Sequence, residues 1–592
     1  MITKSPRSPA RHVLIILGLT VSCVILFSPF ARRTTKEISY GGTGWGRYGS
    51  IMGETEVQEE DKAIRDWDYR RALQYEGTGA RVQAFLDKAR SGRPFIVSAI
   101  GGSVSKGRGL IPPAQAPFPE ESDPTAREGD PEDGPLSSSQ SSDSLLSLGA
   151  YSLYSPENLH VLIFNWLNET FPHPENRFVN GAQGGVGAGY YGWCFKEHIP
   201  VESDLVLVEL GINDLIEVEV FEAYENVIRG ILLLESRPAI INIETFSALF
   251  PTLLSSSSLH QDVAAFYDVT SISVRDVILP RVIADPHTQL PRWFRTGETV
   301  MLGDDKVREW GGIPVDLMHI SALGHVLAAD LVIHYLSDQM SRSKPSSRAF
   351  AMLGRFARTG LRRPNAHILD VPSATLTKAF DPLRGILRHD PVCRSMNAGI
   401  THPPVTLPPE DQTDFATGPN KLVLGIGSHG WTAWQWKEKH YLIAREPGAL
   451  ASFEFNTLQP EFEPVRASIP ENTMEEMNLW SEVRPHRFDP LPLDMRPGAP
   501  DNIGSMSTND KRDTRVDVKR QSMQEERNSQ SGRVMIGYQR SATLSLGSVC
   551  CWVDGDRDDG KVLDGWWDIQ ERNMGMVEKV ASGLTPGAHT LH

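Results

Sequence analysis

The stretch PFIVSAIGGSVSKGRG, residues 94–109, decides how the rest of the chain is read. Phe95, Ile96, Val97, Ala99 and Ile100 form a near-continuous apolar run, the pattern of a strand buried on both faces of a parallel sheet. Gly101 and Gly102 then remove the β-carbons just where Ser103 emerges. A hydroxyl placed this way stands at the carboxyl end of a strand beside free backbone N–H groups. Open α/β sheets bind their ligands at that edge. Taken alone, the stretch is equally an ordinary Gly-Gly-Ser turn, so the segments around it must decide.

Downstream, apolar strands alternate with amphipathic helices. Asn158 to Phe171 has helical spacing, with Leu159, Leu162, Ile163, Trp166 and Leu167 on one face. Short strands are expected at Arg177–Asn180, Asp204–Leu210, Ala239–Ile243 and Val269–Val274. A helix with Val218, Phe221, Ile228, Ile231 and Leu232 as its stripe follows the second of these, and a final helix starts near Ser321. This alternation implies an α/β fold with a doubly wound parallel sheet over residues 81–340. Upstream, Ile64 to Ala89 has helical spacing, with Trp67, Leu73, Val82 and Phe85 as core candidates. Residues 112–147 are dominated by Pro, Ser, Glu and Asp, and read as a disordered insertion, an idle surface loop in preference to a lid over the site.

Residues 341–377 read as a linker, and beyond it the texture becomes all-β. Strands are expected at Leu422–Ile426, Tyr441–Ala444, Ala449–Phe455, Val534–Gly537 and Ala542–Val549, with a second disordered insertion over 459–532. Trp431, Trp434, Trp436, Trp552, Trp566 and Trp567 supply aromatic mass, most of it for core packing. The region 378–592 is simplest as a β-sandwich-like domain.

Residues 12–30 are apolar and flanked by basic residues on both sides. The run is short for a spanning helix, which needs about 20 residues. A cleaved signal peptide competes with an uncleaved anchor. The absence of a small-x-small site, with Pro29 and a basic pair after the run, favours the anchor. The expectation is therefore a tail (1–11), a membrane anchor (12–30), a stem (31–80) and a lumenal body in the ER or Golgi. Asn168 in Asn-Glu-Thr is a glycosylation acceptor usable only in that orientation. The net charge of −15 argues against nucleic acid as a partner. Of the five cysteines, Cys23 lies in the apolar segment; Cys194, Cys393, Cys550 and Cys551 leave one or two bridges open, for example Cys393 to one of the adjacent pair.

Three motifs fall on the same edge of the expected sheet: Ser103 after the first strand, Asn213 in GIND, and Asp316 with His319 in DLMH before the last helix. A serine hydroxyl needs a base to become a nucleophile. His319 supplies one, and Asp316 can fix its tautomer. The oxyanion then needs donors: the N–H of Ser103, an N–H from the loop GAQGGVGAGY and the Asn213 amide. Competing chemistry fits poorly. Ser105 stands where an α/β-hydrolase elbow needs glycine, the glycine-rich loop lacks the Gly-Lys-Ser/Thr ending of a phosphate cradle, and Asp316 with His319 alone is a poor metal site. No cofactor or metal is expected. Ser105 and Lys106 read as turn residues, Asp214 as a cap on the following helix, and His325 and His334 as structural or solvent-facing.

The ordered set GGS, an Asn-then-Gly loop, GIND and DLMH resembles the SGNH (GDSL-like) hydrolase superfamily, over roughly residues 94–336. The Asp that usually precedes the serine in that family is Gly102 here. The resemblance implies a flavodoxin-like three-layer fold, Ser103, Asp316 and His319 as catalytic residues, and Ser103, Gly185 and Asn213 as the oxyanion hole. Gly184 and Gly187 are alternatives to Gly185. It also implies ester hydrolysis. With a secretory-pathway lumen and a Trp-bearing β-region, the expected substrate is an acylated glycan, O-acetyl esters first. Sugar O-acyltransferases on the same fold, and a glycan-binding protein without catalysis, are the competing readings.

Overall fold

The computed structural model describes residues 66–110; 153–297, apart from 251–252 and 254–255; 300; and 306–342. Beyond these it describes 370–378 apart from 373; 386–387; 391–397 apart from 396; 428–463 apart from 437–438 and 458–461; and 532–592 apart from 570–572. The chain divides into Met1–Ala63 and Ile64–His592, and all described residues belong to the second unit. The expected anchor, the stem to residue 65 and the 112–147 insertion lie outside the described residues. No helix among the described residues is long and apolar enough to cross a membrane.

The central sheet takes β1 (Leu73–Tyr75), β2 (Ile96–Gly101), β3 (Arg177–Asn180), β4 (Leu205–Glu209), β5 (Ala239–Glu244) and β6 (Thr270–Ser273) in the order β1-β6-β5-β4-β2-β3. β2 to β6 run parallel, and β1 closes one edge antiparallel to β6. Strands β2, β4 and β5 are buried at every residue. That explains their unbroken apolar runs, since neither face can carry polar side chains to water. Val206 and Val208 sit in one core with Tyr191, Tyr224 and Ile228, while Leu205 and Leu207, equally buried, alternate to the opposite face. Each such side chain contributes about 1.5–3 kcal/mol of apolar burial.

The helices form two layers. α1 (Asp66–Ala72), α2 (Ala80–Arg90), α3 (Leu159–Thr170) and the long terminal α9 (Ala322–Arg342) belong to one. α4 (Ala188–Cys194), α5 (Val218–Leu232) and α6 (Ser257–Phe266) pack together on the other. The Asn158 side chain caps α3 by accepting from the His160 N–H at 3.0 Å. After β6 come α7 (Arg275–Ala284) and α8 (Pro286–Trp293), then a small antiparallel sheet of β7 (Phe294–Arg295), β8 (Val307–Trp310) and β9 (Ile313–Ile320) in the order β7-β9-β8. The chain leaves β2 towards β3 on one side and continues through β4 to β6 on the other. The topological switch point therefore lies between β2 and β4, where such sheets bind ligands.

Three expectations for this body need correction. The helix over 64–89 is two helices with β1 between them. Gly77 and Gly79, at φ +69° and +67°, turn the chain out of helical geometry, and Leu73 pairs with Ile272. The α/β body thus begins before residue 81. Val218 is 75% exposed and leaves the α5 stripe to Tyr224, Ile228, Ile231 and Leu232.

The C-terminal region is all-β, as expected. Its strands are β10 (Ile386–Leu387), β11 (Trp431–Trp436), β12 (Lys439–Ala444), β13 (Phe453–Thr457), β14 (Phe462–Glu463), β15 (Val534–Arg540), β16 (Ser548–Cys551), β17 (Lys561–Asp564), β18 (Met574–Ala581) and β19 (Gly587–Leu591). They pair antiparallel as β10-β14, β11-β12, β13-β19, β15-β18 and β16-β17. The strand expected at 422–426 lies outside the described residues. The one expected over 542–549 starts only at Ser548, because Ser541 Oγ turns the chain by accepting from the N–H groups of Thr543 and Leu544. Trp567 is buried beneath Arg540, and Trp566 is half exposed.

This region is fastened to the α/β body. Cys393 bonds Cys194 at the end of α4, not Cys550 or Cys551, which are free. Part of the expected linker is docked: Leu376 and Thr377 donate backbone N–H groups to the Glu225 carboxylate, and Arg229 donates to the Pro372 carbonyl at 2.6 Å. Glu222 on α5 pairs with both Lys378 and Arg533.

Candidate active site

The turn that presents Ser103 follows from what crowds it. Gly102 donates its N–H to Glu209 O, and the chain then coils, with Lys106 N–H bonding Gly102 O and Arg108 N–H bonding Ser103 O. A β-carbon on Gly102 would stand 1.9 Å from the Asn213 amide nitrogen, and one on Gly101 would stand 2.0 Å from Ser105 Oγ. Glycine at both positions lets the end of β4 and the serine turn share one space. Ser103 is held at this point, 7% exposed.

Ser103 Oγ lies 2.9 Å from His319 Nε2, and His319 Nδ1 lies 2.7 Å from Asp316 Oδ2. Asp316 and His319 are on β9, which runs into the last helix, as their place before it implied. A regular strand would point residues i and i+3 to opposite faces. Here the pairing with β7 shifts between Phe294↔Ile320 and Arg295↔Asp316, so the strand bulges. Asp316 Oδ1 closes the bulge by accepting from the N–H groups of Met318 and His319, which brings its second oxygen under the imidazole. The Leu317 carbonyl is pinned from β5's side by Ser247 and Ala248.

Burial would raise the Asp316 carboxyl, but His319, the Met318 N–H and Arg108 hold it well below the usual carboxylate range. Burial pushes the His319 imidazole down to about 4, against the upward pull of Asp316. The resting ring is therefore neutral near pH 7, with Nε2 facing the hydroxyl and Asp316 placed to stabilise the imidazolium when it forms.

On the opposite wall, Asn213 Nδ2 donates to Val186 O at 3.0 Å. A β-carbon on Gly184 would stand 3.8 Å from that of Ser103, so this glycine faces the serine. Gly185, at φ +68°, faces the β-region: its carbonyl accepts from the Gly575 N–H at 2.8 Å, and a β-carbon on it would stand 3.1 Å from Lys439 Nζ. Among the described residues, the N–H groups of Ser103, Gly184 and Gly185 donate to no other protein atom. Gly187 instead lies against Asp214.

Asn168 stands apart, half buried in the last turns of α3, its carbonyl oxygen accepting from Asn176 Nδ2. His325 is wholly buried, with Nδ1 accepting from the Leu159 N–H, and His334 packs on Tyr69.

Glu209 and Glu244 were not singled out from the sequence, and Ser105 and Asp214 do more than was expected of them. Ser105 is no ordinary turn residue: it is wholly buried, its hydroxyl donating to Glu209 Oε2 at 3.0 Å and lying 2.9 Å from His160 Nε2. Burial raises Glu209 to about 7, against the hydrogen bonds from Thr245 and Ser105. Asp214 does not cap α5; it accepts from the Ala188 N–H at 2.6 Å, at the start of α4. Glu209 and Glu244 each end a buried strand, a place where a carboxylate reads as solvated from the sequence alone.

No family model matches the chain, and no curated protein matches it. Over 88% of its length, and 91% of the other chain, it is similar to a two-domain esterase (CEX) active on acetylated mannans, co-crystallised with mannopentaose, at 14% identity and a TM-score of 0.46. A carbohydrate esterase family 2 enzyme with a carbohydrate-binding domain, from Corynascus thermopiles (Myceliophthora fergusii), matches 42% of this chain and 67% of its own at 13% identity and a TM-score of 0.24. A family two carbohydrate esterase from Clostridium thermocellum, in complex with cellohexaose, matches 42% and 66% at 13% identity and a TM-score of 0.21.

Proposed function

We propose that the chain is a serine ester hydrolase acting on an acylated glycan, with O-acetyl esters as its first substrates. The observation that carries the reading is the relay Asp316–His319–Ser103, joined at 2.7 and 2.9 Å at the switch point of the sheet. Ser103 Oγ attacks the ester carbonyl as His319 Nε2 takes its proton. The oxyanion is held by the N–H groups of Ser103 and Gly185 and by Asn213 Nδ2, whose other hydrogen is committed to Val186. The tetrahedral adduct expels the sugar oxygen, which takes the proton back from His319. Water, deprotonated by the same ring, then attacks the acyl-serine and releases the carboxylic acid.

The glycan half of the reading rests on the β-region. Its residues Lys439, Asn573 and Gly575 lie against Gly185, next in sequence to the glycine that faces Ser103. An N-terminal membrane anchor and a lumenal site belong to the same reading. The test is p-nitrophenyl acetate and acetylated-glycan turnover by the lumenal body, residues 31–592, against Ser103→Ala. Equal rates in the two would end the serine assignment, and acetyl transfer to a sugar without net hydrolysis would make it a transferase.

A further inference from the structure

Behind the oxyanion loop lies a second buried imidazole, clamped between two carboxylates. His260 on α6 has Nε2 2.9 Å from Asp214 Oδ2 and Nδ1 3.1 Å from Glu244 Oε1. Its ring stacks on Tyr224 of α5 at 3.7 Å and 7°. Glu244 is the last residue of β5, and all four side chains are buried. Burial acts to lower the imidazole, but Glu244 and Asp214 override it and raise it to about 9, so the ring carries a charge at neutral pH.

The group is connected to the reacting centre at one place. Asp214 follows Asn213, and the two side chains grip the same loop two residues apart: Asn213 holds Val186 O, and Asp214 Oδ1 holds the Ala188 N–H. A β-carbon on Gly187 would stand 2.0 Å from that Asp214 oxygen, so glycine is what allows the carboxylate so close. The gripped loop begins with Gly184 and Gly185 beside Ser103. A buried ion pair is weak evidence of stability, because desolvation offsets its attraction. What this one does provide is an electrostatic hold on Asp214: one oxygen lies 2.9 Å from the imidazole Nε2, off the line of a hydrogen bond, and the other accepts from the loop.

We propose that His260, braced by Glu244 and Tyr224 and acting through Asp214, is a positioning residue for the loop and amide that hold the oxyanion. The inference rests on the ester-hydrolase reading and deepens it. His260 touches no substrate; it sets where Asn213 and the Gly185 N–H stand as charge develops.

The experiment is a double-mutant cycle on p-nitrophenyl acetate, using His260→Gln, Asn213→Ala and the double variant, with thermal unfolding of each. His260→Gln is expected to lower kcat about 100-fold, the size of losing one oxyanion donor, with KM within about twofold. In the Asn213→Ala background the same change is expected to cost no more than about threefold, because both act on one oxyanion site. Glu244→Gln, which keeps the shape and removes a charge, is read the same way should His260→Gln not fold. Unchanged kcat in the folded single variant, or losses that multiply in the double, would overturn the positioning role alone. Wild-type turnover no faster than Ser103→Ala would overturn the hydrolase reading and this inference with it.

Discussion

Gly575, in strand β18 of the C-terminal region, donates its N–H at 2.8 Å to the carbonyl of Gly185, in the loop beside Ser103. The all-β region is thus hydrogen-bonded to the wall of the serine pocket, where an error of about 1 Å can cost 100-fold in rate. A β-carbon at Gly575 would already stand 3.0 Å from Val186 Cγ1. Gly575→Val is expected to lower kcat/KM on p-nitrophenyl acetate by about 10–100-fold, although the substituted residue lies outside the α/β body. A wild-type rate would show that the contact does not position the loop.

Residues of one relay fail together. Ser103→Ala and His319→Ala should each lower kcat by at least about 10⁴-fold, and the double variant should be no worse than the weaker single. Asp316→Asn keeps the shape but loses the charge facing the imidazolium, and about 10⁴-fold is expected. Burst kinetics with p-nitrophenyl acetate would check the acyl-enzyme step directly.

The pH dependence follows from the His319 ring, lowered to about 4 by burial first, with Arg108 adding to that shift against Asp316. The base must be neutral, so kcat/KM should be level from neutral pH downwards and fall only as pH drops towards about 4. Arg108→Gln should move this acid limb upwards. Because Arg108 is exposed, salt should shrink that displacement.

The Cys194–Cys393 bond closes 199 residues and joins α4, which starts at the glycine-rich loop beside Ser103, to the segment leading into the β-region. Chain entropy alone gives a loop of this length about 5 kcal/mol. Cys393→Ser should therefore lower the unfolding midpoint in urea, and reductant should have little further effect on that variant. Equal midpoints would mean that the unfolded chain gains nothing from the cut.

The parts of this arrangement that were legible in the sequence are those whose cause is local. β2 and β4 show as apolar runs because both faces are buried, and Ser103, Asn213, Asp316 and His319 show because each sits in a short motif at a strand end. β1 did not show: three half-buried residues before Gly77 carry no periodicity of their own. The bulge that turns Asp316 towards His319 depends on pairing with β7, where Arg295 is 21 residues before its partner Asp316. His260, Glu244 and Glu209 were illegible for a different reason. A charged residue at a strand end or on a helix reads as solvated until the neighbours that bury it are known. The disulfide was one of several connectivities that spacing alone could not separate.

Those buried charges make stability depend on pH with a sign that can be worked out. A group whose folded pKa is raised stabilises the fold below its unfolded pKa, and that contribution disappears as pH rises through the folded value. Glu209, raised to about 7, therefore acts over roughly pH 4.5 to 7, and His260, raised to about 9, over roughly pH 6.5 to 9. His319 and His198, lowered to about 4, work in the other direction: their contribution is present above pH 6.5 and is lost as pH falls towards 4. Between pH 7 and 9 the loss of stability should be dominated by His260, at most about 1.4 kcal/mol per pH unit for one proton. The groups facing the ring are Asp214 from the loop after β4, Glu244 from β5 and Tyr224 from α5. Urea unfolding at pH 7 and pH 9 should show the wild type losing stability and His260→Gln losing markedly less, while Glu209→Gln changes only the slope below pH 7. A His260→Gln profile parallel to the wild type from pH 7 to 9 would mean that the imidazole is neutral in the fold, and that Asp214 is held by something other than its charge.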